Sequence, residues 1–319
     1  MDGRHPADRH QLGDHRRHPA QGAQAALPRR AHPRRRPVRA DAHPPDAAAA
    51  AAQAEGQARG EALSGSAWAS SEGLDGLRNT VRHELVGRQL DEQMAARFPV
   101  GRRLRVLDVG LAHGTQALRL ARAGHEVTAL EADASTVAAV RTALAAEPAG
   151  IRERVRLIEG DGRDTGVHFT PGAFDVVLCH GVLMRVEEPD PLLAGLARVL
   201  APGGLLSLVV RNADALALRP GLAGDWDAAL TAFDSPYCVD PSSGARLRAD
   251  RRETLTATLA GIGAPLRAWY GVRVFTDRPG QAVQGPALDA VLAAEERAGR
   301  TDPYRAVAGL LHLCGVRGG

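Results

Sequence analysis

The chain has 319 residues, enough for one sizeable domain with an extension, and 44% of them are apolar, enough to build a core. All of its basic side chains are arginines, and eleven of them stand against six acidic residues in the first 60 residues, so the rest is slightly acidic. This balance excludes from the folded part the overall basic surface of a nucleic-acid-binding domain. The sequence has neither a secretory h-region nor an apolar run that could span a bilayer, so we expect a soluble cytoplasmic protein without a membrane partner.

Residues 1–65 are rich in Pro, Arg, His and Ala and contain almost no large apolar side chains. Such a segment cannot bury enough surface to offset the entropy lost on ordering. We therefore expect a disordered basic extension over 1–65 and one folded domain over 66–319. We interpret the extension as a solvated tail in preference to a basic arm for nucleic acid.

Downstream of the extension, helical apolar patterns alternate with short apolar runs. Apolar residues recur at helical spacing from Leu74 and predict a first helix that Pro99 closes. The short runs predict strands at Leu104–Val109, Glu126–Glu131, Val155–Glu159, Asp175–Cys179 and Leu205–Val210. The intervening patterns predict helices at Thr115–Ala123 with Gly124 as C-cap, at Ser135–Ala146, and at Pro191–Leu200 with Asp190 as N-cap. Pro202-Gly203-Gly204 predicts a turn into the fifth strand.

This alternation is typical of βαβ units around a parallel sheet. Strands that are apolar throughout indicate a sheet covered on both faces, with right-handed crossovers between the strands. In such sheets, ligands bind at the carboxyl ends of the strands. The residues that follow each strand are therefore the candidates for chemistry.

The first strand runs into a turn bracketed by glycines, Asp108-Val109-Gly110-Leu111-Ala112-His113-Gly114. Gly110 and Gly114 let the backbone approach a ligand closely and point helix N–H groups at it. Asp108 can organise the loop and accept a hydrogen bond from an ammonium group.

Acidic residues also follow the second and third predicted strands. Glu131 can accept hydrogen bonds from both hydroxyls of a ribose, while Asp161 and the backbone N–H of Gly162 can read an adenine edge. Glu131 alone is also explained as a helix cap or a solvated side chain. Together with the glycine turn, they offer partners for three parts of an adenosine-like ligand.

On these residues the chain resembles the class I S-adenosylmethionine-dependent methyltransferases. The matching segments are Val106–Gly114, Glu131, Asp161-Gly162, Phe174–Cys179 and Leu200–Gly204. The resemblance implies an α/β fold, a Rossmann-like, doubly wound, seven-stranded and mostly parallel sheet with helices on both faces. It implies S-adenosyl-L-methionine as the cofactor, with Leu111 among the residues that bind it. The family often has Gly at the position of Ala112, where Ala fits if its φ is below zero.

A closer resemblance is to the bacterial tRNA 5-carboxymethoxyuridine methyltransferases. It is carried by Cys179–Leu183, Leu206–Leu208, Arg211–Ala213, Gly271–Asp277 and Pro303-Tyr304. It implies that Arg78 in the first helix binds the cofactor carboxylate and that His180 is the catalytic-site residue after the fourth strand. It also implies a sixth strand over Leu266–Val274 and a seventh near Leu310–Cys314.

The sequence leaves the methyl acceptor open between tRNA and a small molecule. A carboxylate acceptor needs no base, whereas a hydroxyl or an amine must lose a proton. His180 is read either as that base, as a neutral group that orients a ligand, or as a packed histidine. We expect the segment 211–252 to shape the acceptor pocket, where Arg211 and Arg273 either anchor an anion or, as we favour, form structural ion pairs.

The same fold hosts other chemistries, and most of them are disfavoured. Cys179 lies within the fourth strand without a preceding proline, so we expect an inert core thiol and not the nucleophile of a cytosine C5 methyltransferase. No His, Asp and Glu cluster indicates a metal site. A nicotinamide oxidoreductase would need Gly-x-Gly-x-x-Gly, whereas Ala stands at 112 and Thr at 115. A noncatalytic S-adenosylmethionine-binding protein stays an alternative, and no oligomeric state is predicted.

Overall fold

The computed structural model of the chain describes residues 74–240, 244–277 and 286–318. The extension predicted over 1–65 lies outside these described residues. Within them, strands and helices alternate in the predicted order.

The element bounds agree closely with the predicted ones. The described strands are β1 (Arg105–Val109), β2 (Glu126–Glu131), β3 (Val155–Glu159), β4 (Phe174–His180), β5 (Leu200–Arg211), β6 (Tyr237–Val239), β7 (Arg246–Arg248), β8 (Leu266–Val272) and β9 (Leu310–Val316). The described α-helices are α1 (Leu74–Ala95), α2 (Thr115–Arg122), α3 (Ala134–Ala145), α4 (Ala149–Arg152), α5 (Thr165–His168), α6 (Asp190–Val199), α7 (Leu218–Leu222), α8 (Trp226–Asp234), α9 (Arg252–Gly261) and α10 (Pro286–Ala298). Short 3-10 turns lie at Gly162–Asp164, Leu183–Arg185, Ala213–Ala215 and Tyr304–Val307.

Seven of the described strands form one sheet in the order β3-β2-β1-β4-β5-β9-β8. The first five strands of that order pair in parallel, and β9 is inserted antiparallel between β5 and β8. This is the predicted doubly wound, mostly parallel sheet. Its order reverses between β1 and β4, so the switch point, where α/β sheets bind ligands, lies at the carboxyl ends of these two strands. The β6–β7 hairpin is separate from this sheet and was not predicted.

Consecutive residues of β1 point to opposite faces of the sheet, as strand geometry requires. Leu107 and Val109 pack in one core cluster with Leu196 of α6, whereas Val106 packs in a second cluster with Leu120 of α2. Each fully buried leucine contributes about 1.5–3 kcal/mol. Helices therefore cover both faces of the sheet, as predicted. None of the described helices is long and apolar enough to cross a membrane.

Two predicted strand limits differ from the structure for local reasons. The predicted turn at Pro202-Gly203-Gly204 is wrong, because these residues belong to β5, where its register with β4 shifts. Gly203 has φ +73° and donates its N–H to Arg317 O at 3.0 Å, so the strand bends without losing its pairing. The predicted sixth strand ends early, at Val272, because Arg273 has φ +62°, outside the extended region.

Two helix caps lie one residue from their predicted positions. Ala123 is the C-cap of α2, and Gly124 follows it at φ +99°. Asp190 is already the first residue of α6, with Pro189 at the N-cap. Both helix ends therefore lie within one residue of where the sequence predicts them.

Candidate active site

A cleft opens at the switch point, between the loops that follow β1 and β4. It is lined by Arg82, His83, Val86, Asp108, Gly110, Leu111, Ala112, Thr115, Gln116 and His180. Four predicted site residues meet in this cleft, namely Asp108, Gly110, Leu111 and His180. Arg78 is not among the lining residues.

The glycine turn after β1 has the backbone that was predicted for it. Gly110 has φ +76° and Gly114 has φ +67°, both in the left-handed region that favours glycine. A Cβ on Gly110 would lie 2.1 Å from Val182 Cγ2, so the loop after β4 closes directly over this residue. The Gly110 N–H donates to Leu130 O at 2.9 Å and ties the turn to β2. Any side chain at position 110 would force the two loops apart.

Ala112, in the same turn, does not have the backbone that was expected. Its φ is +46°, not below zero. This left-handed conformation costs a residue other than glycine roughly 1–2 kcal/mol. The surrounding contacts hold the turn against that cost, as they do for many strained residues at functional sites.

Asp108 is a buried carboxyl at the floor of the cleft, only 3% exposed. Burial raises its pKa to about 7, the charge of nearby Glu131 adds to the rise, and Arg82 opposes it. The group therefore titrates near neutral pH. A cationic ligand group placed beside it would stabilise the carboxylate, which suits the predicted role as partner of an ammonium group.

Arg82 reaches the cleft from α1, in the place expected for Arg78. Its Nη2 donates to His180 O at 3.1 Å, and burial lowers its pKa while Asp108 opposes the shift. Arg78 lies one helical turn earlier, with its Nη2 3.4 Å from Asp277 Oδ1. Residues four apart share a helix face, so sequence spacing alone could not choose between these two arginines. Arg82 is the site residue that sequence reasoning missed.

Glu131 ends β2, the strand beside β1. Its Oε1 accepts the N–H of Asp133 at 3.1 Å, and Asp133 in turn caps α3 through the N–H groups of Ser135 and Thr136. The Glu131 carboxylate is partly exposed and close enough to Asp108 to raise its pKa. It therefore lies at the end of the strand beside β1, the position from which a ribose contact is predicted.

Asp161 and Gly162 follow β3, one strand further along the sheet. Asp161 accepts the Arg163 N–H at 2.8 Å and pairs with the Arg163 guanidinium at 2.6 Å, which lowers the pKa of the carboxyl. A Cβ on Gly162 would lie 2.5 Å from Val109 Cγ1, so Gly162 packs tightly against β1. Asp161 thus caps the 3-10 turn at Gly162–Asp164, a role that was not predicted.

His180 ends β4 and is hydrogen bonded on its buried side. Its Nε2 lies 2.8 Å from Ser207 Oγ on β5, and the same hydroxyl lies 2.8 Å from His312 Nε2 on β9. Burial, the neighbouring His312 and then Arg82 hold the pKa of His180 well below its usual value. The imidazole is therefore neutral at physiological pH.

Cys179, the residue before His180, is fully buried in the core. Burial, with a smaller contribution from the charge of Asp108, raises the pKa of its thiol to about 12. The thiol is therefore protonated and unreactive, as predicted. Cys238 and Cys314 are free as well.

An arginine cluster lies near the cleft around the Asp277 carboxylate. We define it as Arg78, Arg211, Arg273 and Asp277. Arg211 Nη2 is 2.9 Å from Asp277 Oδ2, and Arg273 Nη2 is 3.3 Å from Asp277 Oδ1. Burial alone raises the pKa of Asp277, but Arg211 and Arg273 outweigh it and hold the pKa below its usual value. Burial and then the like charges of Arg78 and Arg211, against the attraction of Asp277, lower the pKa of Arg273 to about 9. Arg211 and Arg273 therefore form the structural ion pairs that we favoured.

A second buried carboxylate positions this cluster. Glu295 of α10 is fully buried and accepts the N–H groups of Val274, Phe275 and Thr276 at 2.7, 3.0 and 2.7 Å. These three residues precede Asp277 directly. Glu295 therefore fixes the loop that presents the Asp277 carboxylate to its arginines.

The segment 211–252, expected to shape the acceptor pocket, contains α7, α8 and the β6–β7 hairpin. The Arg246 guanidinium stacks on Tyr237 at 3.6 Å, and Arg248 Nη1 donates to Glu187 O at 3.3 Å in the loop after β4. The segment borders a second pocket, lined by Ala213, Ala232, Phe233, Asp234, Ser235, Pro236, Tyr237, Arg248, Ala249, Asp250, Arg251 and Thr254. Across the part of the chain that the structure describes, no three His, Cys, Asp or Glu side chains are placed to hold a metal ion.

The sheet order and the cleft at its switch point are those of a doubly wound α/β fold, and comparisons with known proteins specify the class. Residues 107–208 match the family described as a methyltransferase domain. A relative matches at 30% identity over 74% of this chain. The chain therefore belongs to the S-adenosylmethionine-dependent methyltransferases, and S-adenosylmethionine is its methyl donor.

That relative is the tRNA 5-carboxymethoxyuridine methyltransferase of Escherichia coli (strain K12), aligned over 246 residues and 88% of its own length. The ubiquinone biosynthesis O-methyltransferase of Xanthomonas oryzae pv. oryzae (strain PXO99A) is 32% identical over 146 residues, 46% of this chain and 55% of that protein. Among solved structures, the glycopeptide N-methyltransferase MtfA with (S)-adenosyl-L-homocysteine matches with a TM-score of 0.48 and 18% identity, covering 73% of this chain and 89% of that chain.

Proposed function

We propose that the enzyme methylates the carboxylate of a modified wobble uridine in tRNA and so forms a methyl ester. The similarity to the tRNA 5-carboxymethoxyuridine methyltransferase supports this acceptor. The structural observation that carries the proposal is the excess of positive charge in the arginine cluster beside the cleft. S-adenosylmethionine supplies a methyl group on a cationic sulfonium. A carboxylate is already a nucleophile at neutral pH, so the protein has to supply alignment and charge, not a base.

Three described guanidinium groups, those of Arg78, Arg211 and Arg273, pair with the Asp277 carboxylate. Arg219 of α7 is partly buried close by, and burial and then the like charges of Arg78 and Arg211 lower its pKa, although Asp277 opposes this. An anionic acceptor that binds Arg219 would relieve this repulsion.

The cluster and the cleft are adjacent because α1 carries an arginine to each. Arg78 faces Asp277, and Arg82, one turn later, contacts the backbone of His180. Arg82 is also close enough to lower the pKa of Arg273. An acceptor held by the cluster would therefore lie next to the methyl-transfer cleft.

The cleft itself fits the cofactor. An amino-acid group carries an ammonium and a carboxylate, and the cleft offers the Asp108 carboxyl and the Arg82 guanidinium to them. In our proposal Arg82 takes the role predicted for Arg78, Gly110, Leu111 and Gly114 shape the turn under the cofactor, and His180 borders the amino-acid end. Further along the strand ends, Glu131 binds the ribose and Asp161 with Gly162 binds the adenine.

Transfer of labelled methyl groups tests the acceptor directly. The enzyme is incubated with labelled S-adenosylmethionine and either total tRNA carrying free carboxymethoxyuridine or a small-metabolite extract. We expect label in tRNA that mild alkali removes, because esters hydrolyse under conditions that leave methylated bases intact. Label only in small molecules would refute the tRNA acceptor and favour an O- or N-methyltransferase.

A pair of variants tests the role of the cluster. Arg219→Gln should raise the KM for tRNA about tenfold, the effect of one lost charged hydrogen bond, and should leave the affinity for S-adenosylhomocysteine unchanged. Arg103→Gln is the matched control, since Arg103 is exposed before the amino end of β1, whereas the cleft lies at the carboxyl ends of the strands. Equal KM values for both variants would remove Arg219 from acceptor binding.

A further inference from the structure

A line of hydrogen bonds runs from the cleft along one face of the sheet, through four side chains. It runs from His180 at the end of β4 to Ser207 on β5, His312 on β9 and Gln89 on α1. Each of its three donor–acceptor distances is 2.8 Å. Ser207, His312 and Gln89 are all fully buried. Buried polar groups in an apolar core are costly unless paired, so a chain of this kind needs a reason.

The hydrogen atoms in this line are ordered from its buried end. Gln89 presents its carbonyl oxygen Oε1 to His312 Nδ1, and a carbonyl can only accept. His312 Nδ1 therefore carries the hydrogen. Burial lowers the pKa of His312 to about 3, so the ring is neutral and its Nε2 keeps a lone pair.

The same reasoning assigns the hydrogen positions between Ser207 and His180. The Ser207 hydroxyl must donate its single hydrogen to His312 Nε2, so towards His180 it can only accept. His180 Nε2 therefore carries the hydrogen that it donates to Ser207. A neutral imidazole has one N–H, so the lone pair of His180 is on Nδ1.

We propose that Gln89, His312 and Ser207 are positioning residues that fix His180 as the neutral Nε2–H tautomer, with the Nδ1 lone pair directed to the ammonium group of the bound cofactor. This proposal rests on the placement of His180 in the cofactor cleft under the proposed function. It assigns His180 the role of acceptor, which neither a packed histidine nor a general acid would have.

The charges around the cleft explain why a neutral acceptor is needed there. The cofactor brings two positive charges, on its sulfonium and its ammonium. The cleft already contains the Arg82 guanidinium, 3.1 Å from His180 O, and the His83 ring, whose pKa burial and then Arg82 and His113 lower to about 4. An imidazolium at position 180 would repel the cofactor, whereas an Nδ1 lone pair in the cleft that Asp108 also lines attracts its ammonium group.

Nitrogen NMR of the histidine rings tests the tautomers without any turnover. Long-range ¹H–¹⁵N correlation separates protonated from unprotonated ring nitrogens, and the His180 signals are identified by their loss in His180→Gln. We expect Nε2–H at His180 and Nδ1–H at His312. Gln89→Met removes the terminal acceptor at similar volume and should change the tautomer of His180, three hydrogen bonds away along the line. An Nδ1–H tautomer at His180 in the wild-type protein would overturn the proposal.

Cofactor affinity gives the functional readout. Ser207→Ala should weaken S-adenosylhomocysteine binding about tenfold, the effect of one lost hydrogen bond, and Ser207→Thr should restore it by returning the hydroxyl. Cys314→Ala is the control, because it removes a buried thiol 3.4 Å from His312 Nε2 and leaves the line intact. Unchanged affinity in a folded Ser207→Ala protein would refute the positioning role. Since neither readout uses tRNA, a wrong acceptor would leave this result standing, and a wrong tautomer would leave the acceptor standing.

Discussion

Arg78 and Arg82 lie one turn apart on α1, and each faces a different carboxyl group. Towards the cleft, the buried Asp108 faces the single guanidinium of Arg82, and burial raises the pKa of the carboxyl to about 7. Towards the arginine cluster, Asp277 is shared by Arg211 and Arg273, and its pKa stays low despite burial. Among the described residues, one guanidinium opposes the charge of Asp108, whereas three guanidinium groups pair with Asp277. The first region suits a cationic cofactor, and the second region suits the anionic acceptor that we propose.

Removing the carboxylate of the cluster should have the largest effect on stability. Asp277→Asn leaves buried guanidinium groups without their shared counter-charge, and breaking a buried pair from one side costs about 3–5 kcal/mol. Urea unfolding of the variant measures this loss. The control is Asp91→Asn, which breaks an exposed pair with Arg119 and should cost less than about 1 kcal/mol. Similar unfolding free energies for the two variants would show that the cluster is solvated and not buried.

The buried carboxyl of the cleft should make the stability of the protein depend on pH. Asp108 has a folded-state pKa of about 7 against an ordinary value of 3.8, so the folded protein holds its proton more tightly. Its contribution to stability is complete below the unfolded pKa and is lost as pH rises towards 7, by up to about 1.4 kcal/mol per pH unit. Asp108→Asn should remove this loss. Between pH 5 and 7, the variant should gain roughly 2–3 kcal/mol relative to the wild type.

Unfolding curves of both ligand-free proteins at pH 5, 6 and 7 check this difference. Glu131→Gln supplies a second test, because the charge of Glu131 adds to the rise in the pKa of Asp108. That variant should show a smaller loss of stability over the same pH interval. Parallel pH profiles for wild type and Asp108→Asn would mean that the carboxyl is ionised and the contrast between the two regions is absent.

The fold was predictable because each local signal agrees with the tertiary structure. Apolar runs gave β2 and β3 at their observed limits, and the glycines gave the turn after β1. The errors fall where long-range pairing decides. The sequence around Gly203 predicts a turn, because a turn and a bent strand have the same local sequence pattern. The strand stays paired because Gly203 hydrogen bonds to Arg317, near the end of the chain.

The candidate site divides in the same way. The topology alone brings four predicted residues to one cleft, because they lie at or directly after the carboxyl ends of β1 and β4. They are Asp108, Gly110, Leu111 and His180. Arg82 lines the cleft and Arg78 does not, because the rotation of α1 against the sheet turns Arg82 towards it, and no local pattern reports that rotation. The cluster around Asp277 and the line behind His180 join elements far apart in the sequence, so they become visible only in three dimensions.

Loss of the ribose contact that we propose for Glu131 should have an intermediate effect, and it should change only the affinity for the cofactor. Glu131→Ala should weaken S-adenosylhomocysteine binding about 10- to 100-fold, or roughly 1.4–2.8 kcal/mol, because the ribose hydroxyls lose a charged acceptor. Asp161→Ala should have a smaller effect, since that carboxylate already pairs with Arg163. Calorimetric titration measures both, and an unchanged affinity in Glu131→Ala would rule out its ribose role.

The smallest expected effect concerns Ala112, which lies in the cleft turn at φ +46°. Ala112→Gly removes a left-handed strain of roughly 1–2 kcal/mol. It also adds chain entropy to the unfolded state, which costs about 0.4–1 kcal/mol. The net expectation is a stabilisation of about 0.5–1 kcal/mol in thermal unfolding. Gly114→Ala is the reverse control, because it introduces the same strain at φ +67° and a Cβ 3.1 Å from Val140 Cγ1. If Ala112→Gly destabilises the protein while Gly114→Ala does not, the turn is not held in the left-handed conformation, and the cleft has a different floor from the one described.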